Sequence, residues 1–291
     1  MIIEQNKNKP IGLILWQGKS LIDNSPVVVI ATGIFGKSEN RKTGQVVQTY
    51  ILKTDMDPIV SRRLGLDKSN CGDCKHKEKQ TCYVNLCHGP LPIFKAFHNG
   101  SYREFVSGDE QYFANKSIRL GSFGDPAAVP FEVWEKLCSF SGKKFKNFVG
   151  YTHQWKTCDQ RLSNFCMASV DSIDNYSKEY ELAKEMGWRT FRVYGTLDKD
   201  VNFSDKLNKN EIICPASEQG GKKTICENCG LCSGNNIKAK DIMIPFHGDS
   251  PATGSNWKLR SYVKMMQAIK NKKQWRIKKY AIQNFKKHCP F

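Results

Sequence analysis

The sequence predicts a mixed α/β fold, a complete or partial (β/α) TIM-like barrel preceded by a β-rich N-terminal segment. Three observations carry this. Short runs of β-branched residues open the chain. Apolar strands then alternate with helical patterns from Ser117 to Pro245. Two cysteine-rich stretches interrupt that rhythm without any core periodicity of their own. Strands alternating with helices imply βαβ units and a parallel sheet. A doubly wound open sheet is the alternative.

In order, Ile11–Trp16, Val27–Thr32 and Val46–Leu52 read as strands from their period-2 and β-branched content. Asp55–His88 is polar and cysteine-rich and reads as a loop region. Ser117–Phe123 is strand-like and Pro130–Phe140 helical. Asn147–His153 and Phe165–Val170 read as strands. Tyr176–Met186 has helical spacing, with Gly187 as its stop. Thr190–Tyr194, Glu211–Cys214 and Asp241–Pro245 are further strands. Asn256–Phe291 holds nine Lys and two Arg with no Asp or Glu, and its apolar spacing predicts basic amphipathic helices. The expected division is a β-rich segment over 1–54, a barrel-like domain with both cysteine clusters over 55–255, and a basic tail over 256–291.

Net charge over the 291 residues is +17, which favours polyanionic partners such as DNA or tRNA. The N-terminus lacks the apolar run of a signal peptide, and no apolar stretch is long enough to span a bilayer. A cytoplasmic setting is expected, and twelve cysteines there read as metal ligands rather than disulfides. Cys226, Cys229 and Cys232 lie in TICENCGLC, with Cys214 upstream at a strand end. Four such thiolates complete a tetrahedral zinc site, and the spacing also suits an iron–sulfur cluster. Cys71, Cys74, Cys82 and Cys87 form a second set, for which His76 and His88 are substitute ligands. Cys138 and Cys166 read as core residues.

In barrels the chemistry sits where strands end. Asp125 in GSFGDP follows a strand and precedes a helix, so it is a candidate catalytic carboxylate as well as a natural turn former or N-cap. His153 in GYTHQW is a candidate acid or base, and Asp171 ends the next strand. Trp155 could stack a base, Arg192 could meet phosphate or carboxylate, and Glu218 and His247 follow the last strands. No Walker loop, GxGxxG, HExxH or GxSxG occurs.

Taken together, KTGQVVQTYILKTDMDP, CGDC with CYVN, GPLPIFKAF, RLGSFGDPAAVPFEVW, GYTHQW, CPAS and TICENCGLC resemble a bacteriophage-encoded family over Thr43–His247. It is similar to phage relatives of the tRNA-guanine transglycosylases. That resemblance implies exchange of guanine for a 7-deazaguanine base in DNA, a structural Zn2+ and paired carboxylates, with Asp125 essential and Asp171 as partner. The superfamily's Cys-x-Cys-x2-Cys signature is absent. GSFGDP and CMASVDS also look like strand ends of radical S-adenosylmethionine enzymes, which implies an iron–sulfur cluster in CGDC with CYVN, although their Cys-x3-Cys-x2-Cys motif is absent. A zinc-stabilised nucleic-acid-binding protein without catalysis is the third reading.

Overall fold

The computed structural model describes residues 11–36, 43–78, 81–139, 148–172, 177–246 and 258–272. His247, and in the basic tail Trp257, Trp275, Tyr280, Phe285 and Cys289, lie outside them.

One ten-stranded sheet organises the chain. Its strands are β1 (Gly12–Lys19), β2 (Pro26–Thr32), β3 (Val46–Lys53), β4 (Arg103–Glu104), β5 (Ser117–Phe123), β6 (Phe148–Thr152), β7 (Met167–Ser169), β8 (Thr190–Tyr194), β9 (Glu211–Ile213) and β10 (Asp241–Pro245). Their spatial order is β4-β1-β2-β3-β5-β6-β7-β8-β10-β9. β1, β2 and β3 pair antiparallel, and the steps from β3 through β5, β6, β7, β8 and β10 to β9 are parallel. From β3 to β8 the strands follow chain order, as barrel strands do. β10 then inserts between β8 and β9, and no pairing among the described residues joins the sheet's two edges. The closed barrel is therefore corrected to an open, mostly parallel sheet. The β-rich opening is part of it, because Val46 and Val47 of β3 pair with Ser117 and Ile118 of β5.

Strand side chains alternate between faces, and both faces here are covered, which is why the strands read as near-continuous apolar runs. On one face Ile118, Leu120, Ala168 and Val170 join the main core with Trp134 and Leu137 of α5 (Phe131–Ser139) and Tyr180 and Ala183 of α6 (Lys178–Glu185). On the other, residues of opposite parity, among them Arg119, Tyr151, Phe191 and Ile242, line a cavity. A helix over 258–272 presents Tyr262, Met265 and Met266 to Val193 and Phe246 at that cavity's edge. Among the described residues no helix is long and apolar enough to cross a membrane.

The stretch expected to be loop carries short helices: α1 (Pro58–Arg63), α2 (Lys68–Cys71) and α3 (Lys75–Glu78), followed by α4 (Pro90–His98). Each of the first three is too short to show periodicity, but α1 carries a local signal. Asp57 accepts hydrogen bonds from the Ile59 and Val60 amides, with Pro58 at the first helical position. The remaining helix, α7 (Cys226–Cys229), lies within the second cysteine set.

Candidate metal centre and active site

The site is built on strand ends. Gly124 has φ +88°, and a Cβ there would lie 2.6 Å from the Cβ of Ile51, so only glycine lets the chain turn after β5. Asp125 then caps the turn that Pro126 begins. Its Oδ1 accepts from the Ala127 amide at 3.0 Å and its Oδ2 from the His153 amide at 2.8 Å. Its own amide donates to the Asn70 carbonyl at 2.6 Å, which docks α2, and with it Cys71, against the end of β5. Gly72 in CGDC packs on Gln154 of GYTHQW, where a Cβ would meet the Gln154 amide at 2.4 Å. Asp67 ties α1 to α3 through ion pairs with Arg62 and Lys77. The cysteine loop is thus held by backbone docking and by ion pairs.

Three ligand atoms converge at this end of the cavity. His76 Nε2 lies 3.1 Å and His153 Nε2 3.2 Å from Oδ2 of Asp171. Among the described residues His76, His153 and Asp171 form the group whose ligand atoms all lie within 4.8 Å of one another. Thr81 Oγ1 orients His76 from 3.0 Å on the Nδ1 side, and Tyr262 stacks on the His76 ring with centroids 5.7 Å apart. Cys74 Sγ lies 3.7 Å from His153 Nε2.

Charge follows from this packing. Burial alone would raise the Asp171 pKa, but the two histidines hold it well below the usual carboxylate range. Burial opposes a charged imidazole at both histidines, yet Asp171 raises His76, and Cys74 with Asp171 raises His153 well above the ordinary value. Burial also works against a thiolate at Cys74, but His153 outweighs it and lowers the pKa. Asp125 behaves oppositely to Asp171, since burial pushes it up.

Both cysteine sets reach this cavity of about 370 Å³. Cys71, Cys74 and Cys82 enter after the C-terminal end of β3. Cys214 follows β9, and Cys226, Cys229 and Cys232 come from the β9–β10 connection. That connection is anchored by contacts remote in sequence. The Glu227 amide donates to the Thr43 carbonyl at 3.0 Å, and the Glu227 carboxylate accepts from the Gln45 amide at 2.9 Å. Arg189 donates to the carbonyls of Leu231, Ser233 and Lys240 at 2.8, 2.6 and 2.5 Å. Cys232 interacts electrostatically with Cys214, Cys226 and Cys229, and burial pushes its thiol up to about 12. Cys71 and Cys82, likewise coupled to each other and to Cys74, are also raised by burial. None of the eleven described cysteines forms a disulfide.

Of the residues expected from sequence, Asp125, His153 and Asp171 meet at one set of strand ends, and seven of the eight candidate cysteine ligands line the cavity. Cys87 does not, because it is exposed on the turn before α4. Trp155 is in the main core, its Nε1 donating to the Ser169 carbonyl at 3.2 Å. Arg192 is fully buried and paired side-on with Glu211, at 2.9 and 2.6 Å. Glu218 is exposed beside Lys222. The sequence reading missed Arg119 and Arg189. Arg119 carries a visible signal, a cation inside the apolar strand SIRLGSF between Ile118 and Leu120.

Comparison with known proteins gives no match: no family model, no curated protein and no solved structure is significantly similar to this chain.

Proposed function

We propose that this chain is a metal-cluster enzyme of the kind that pairs an iron–sulfur centre with S-adenosylmethionine. The observation that carries the reading is the meeting of two cysteine sets, three and four strong, on one cavity at the sheet's face. The donor chemistry fits. Cys71, Cys74 and Cys82 would hold one cluster through three thiolates. Cys214, Cys226, Cys229 and Cys232 offer a complete set for a second cluster. When bound, such centres supply one-electron reduction.

The chain's own residues have definable work. His76 and His153 hold a proton at Nε2 against Asp171 on the cavity wall. Phe191, Val193 and Ile244 present apolar surface that limits water. Asp125 has both carboxylate oxygens on amides, which makes it a positioning residue for the His153 segment.

A second reading, exchange of guanine for a 7-deazaguanine base in DNA or tRNA over a structural zinc, is supported by Asp171, an ionised carboxylate facing a cavity of nucleobase size. Metal and acid-labile sulfide analysis of protein purified without oxygen separates the two. The iron–sulfur reading expects about eight irons and eight sulfides per chain with a brown colour. A colourless protein with zinc and no sulfide overturns it, and incorporation of labelled guanine into DNA or tRNA would then establish the second reading.

A further inference from the structure

The cavity contains a cation that pairs with no carboxylate among the described residues. Arg119 projects from β5 into the cavity, between Tyr83, which adjoins Cys82, and Cys226 of the second set. Its guanidinium donates to the Tyr83 hydroxyl and lies 5.8 Å from the centroid of that ring. Tyr151 and Cys226 are its other electrostatic neighbours. No ion pair among the described residues includes Arg119, and its Nε is shut off from solvent without a hydrogen-bond partner.

The cavity's two carboxylates are already engaged, Asp125 by amides and Asp171 by histidines. A desolvated donor without an acceptor costs free energy, while the rest of the half-buried Arg119 side chain keeps contact with the cavity. With Nε covered, the guanidinium edge left for a ligand in the cavity is the terminal one, Nη1 with Nη2, which is one of the two edges that bind oxyanions through paired N–H groups. Tyr83 is 48% exposed while lining the cavity, so this part of the wall is reachable from solvent. The net charge of +17 draws anions toward it.

We infer that Arg119 anchors an oxyanion of the substrate, a carboxylate or phosphate group, in the cavity between the two cysteine sets. The inference deepens the proposed function by fixing the substrate's charge class, and it rests on that reading only for the reaction that follows binding. A phosphate and a carboxylate would use the same two N–H groups. The remaining explanation for the charge is electrostatic compensation of the Cys226 thiolate set.

The test is calorimetric titration of the metal-loaded full-length protein with inorganic phosphate and, in a parallel arm, with acetate. One of the two anions is expected to bind one to one, and Arg119→Gln to weaken that binding at least tenfold with metal content and melting temperature unchanged. Arg119→Lys, which keeps the charge and loses the fork, should fall between them and serves if the glutamine variant does not fold. Equal binding by wild type and both variants, or no binding of either anion by wild type, overturns the inference. Loss of metal from Arg119→Gln with anion binding retained also overturns it, and assigns Arg119 to the second cysteine set. Because the readout is anion binding, a protein that holds zinc instead of iron leaves the outcome intact, and failure here is distinct from failure of the iron–sulfur reading.

Discussion

Arg192 shows how a residue suited to substrate binding becomes part of the framework. It sits in β8 with the opposite parity to Phe191 and Val193, so it faces away from the cavity. There it meets Glu211 at the start of β9 in a fork with both side chains at 0% exposure. Glu211 also accepts from the Asn208 amide at 2.8 Å, and Arg192 donates to the Lys206 carbonyl at 2.6 Å, so the remaining polar atoms are largely satisfied. Two charges taken out of water stabilise little as a pair, but removing one strands the other. Glu211→Ala should therefore destabilise the protein by roughly 3–5 kcal/mol, as expected for breaking a buried ion pair. Chemical denaturation checks this, and a change under about 1 kcal/mol, the ceiling typical of surface pairs, would show that Arg192 finds solvent or another partner. Asp125 and Asp171 make the complementary point. Both are buried acids at strand ends, yet amides surround one and histidines the other, and their pKa values move in opposite directions.

At the scale of the element, the connection between β9 and β10 depends on contacts remote in sequence. Arg189, at the entrance to β8, holds three carbonyls of that segment, and its own pKa is lowered by burial. Arg189→Met keeps the length and apolar stem but frees the carbonyls of Leu231, Ser233 and Lys240. On the proposed metal-cluster reading, the expected result is a protein that keeps its sheet but loses the metal of the second cysteine set several-fold faster to a chelator. Unchanged chelator kinetics would show that the thiols alone order the segment. Such contacts also mark what the sequence could reveal. The long strands and the helices α5 and α6 were legible because alternation and helical spacing are local. The GSFGDP, GYTHQW and SVDS strand ends were legible for the same reason, since parallel strands in chain order bring their C-terminal ends together. The swap of β10 and β9 was not legible, because both strands are short and apolar and either order buries them. The helices α1 to α3 escaped because four to six residues show no period, although Asp57-Pro58 was a readable start. Nor could spacing within CENCGLC indicate that its neighbours across the cavity are Arg119 and Tyr151, 75 or more residues earlier in the chain.

For the whole molecule, the open question is what the excess of positive charge does. The helix over 258–272 belongs to the basic C-terminal segment, and it has two distinct faces. Tyr262 is fully buried against His76 and donates to the Val193 carbonyl, and Met265 and Met266 are buried beside it. Arg260 and Lys264, four residues apart and so on one side of a helix, are exposed. One face therefore closes the edge of the cavity while the other offers cations to solvent. If that outer face holds nucleic-acid phosphates, each neutralised phosphate releases condensed counterions, and the logarithm of affinity falls with the logarithm of salt by about 0.9 per contact for duplex DNA. Exchanging both exposed cations in Arg260→Gln with Lys264→Gln should then reduce that slope by about 1.8 and weaken binding to all sequences alike. The melting temperature should stay put, because neither side chain is among those packed at the cavity edge. Duplex DNA and tRNA titrations across a salt series measure the effect. A slope unchanged in the double variant would assign these cations to solvation alone, and Tyr262 with its two methionines would then account for what this helix contributes.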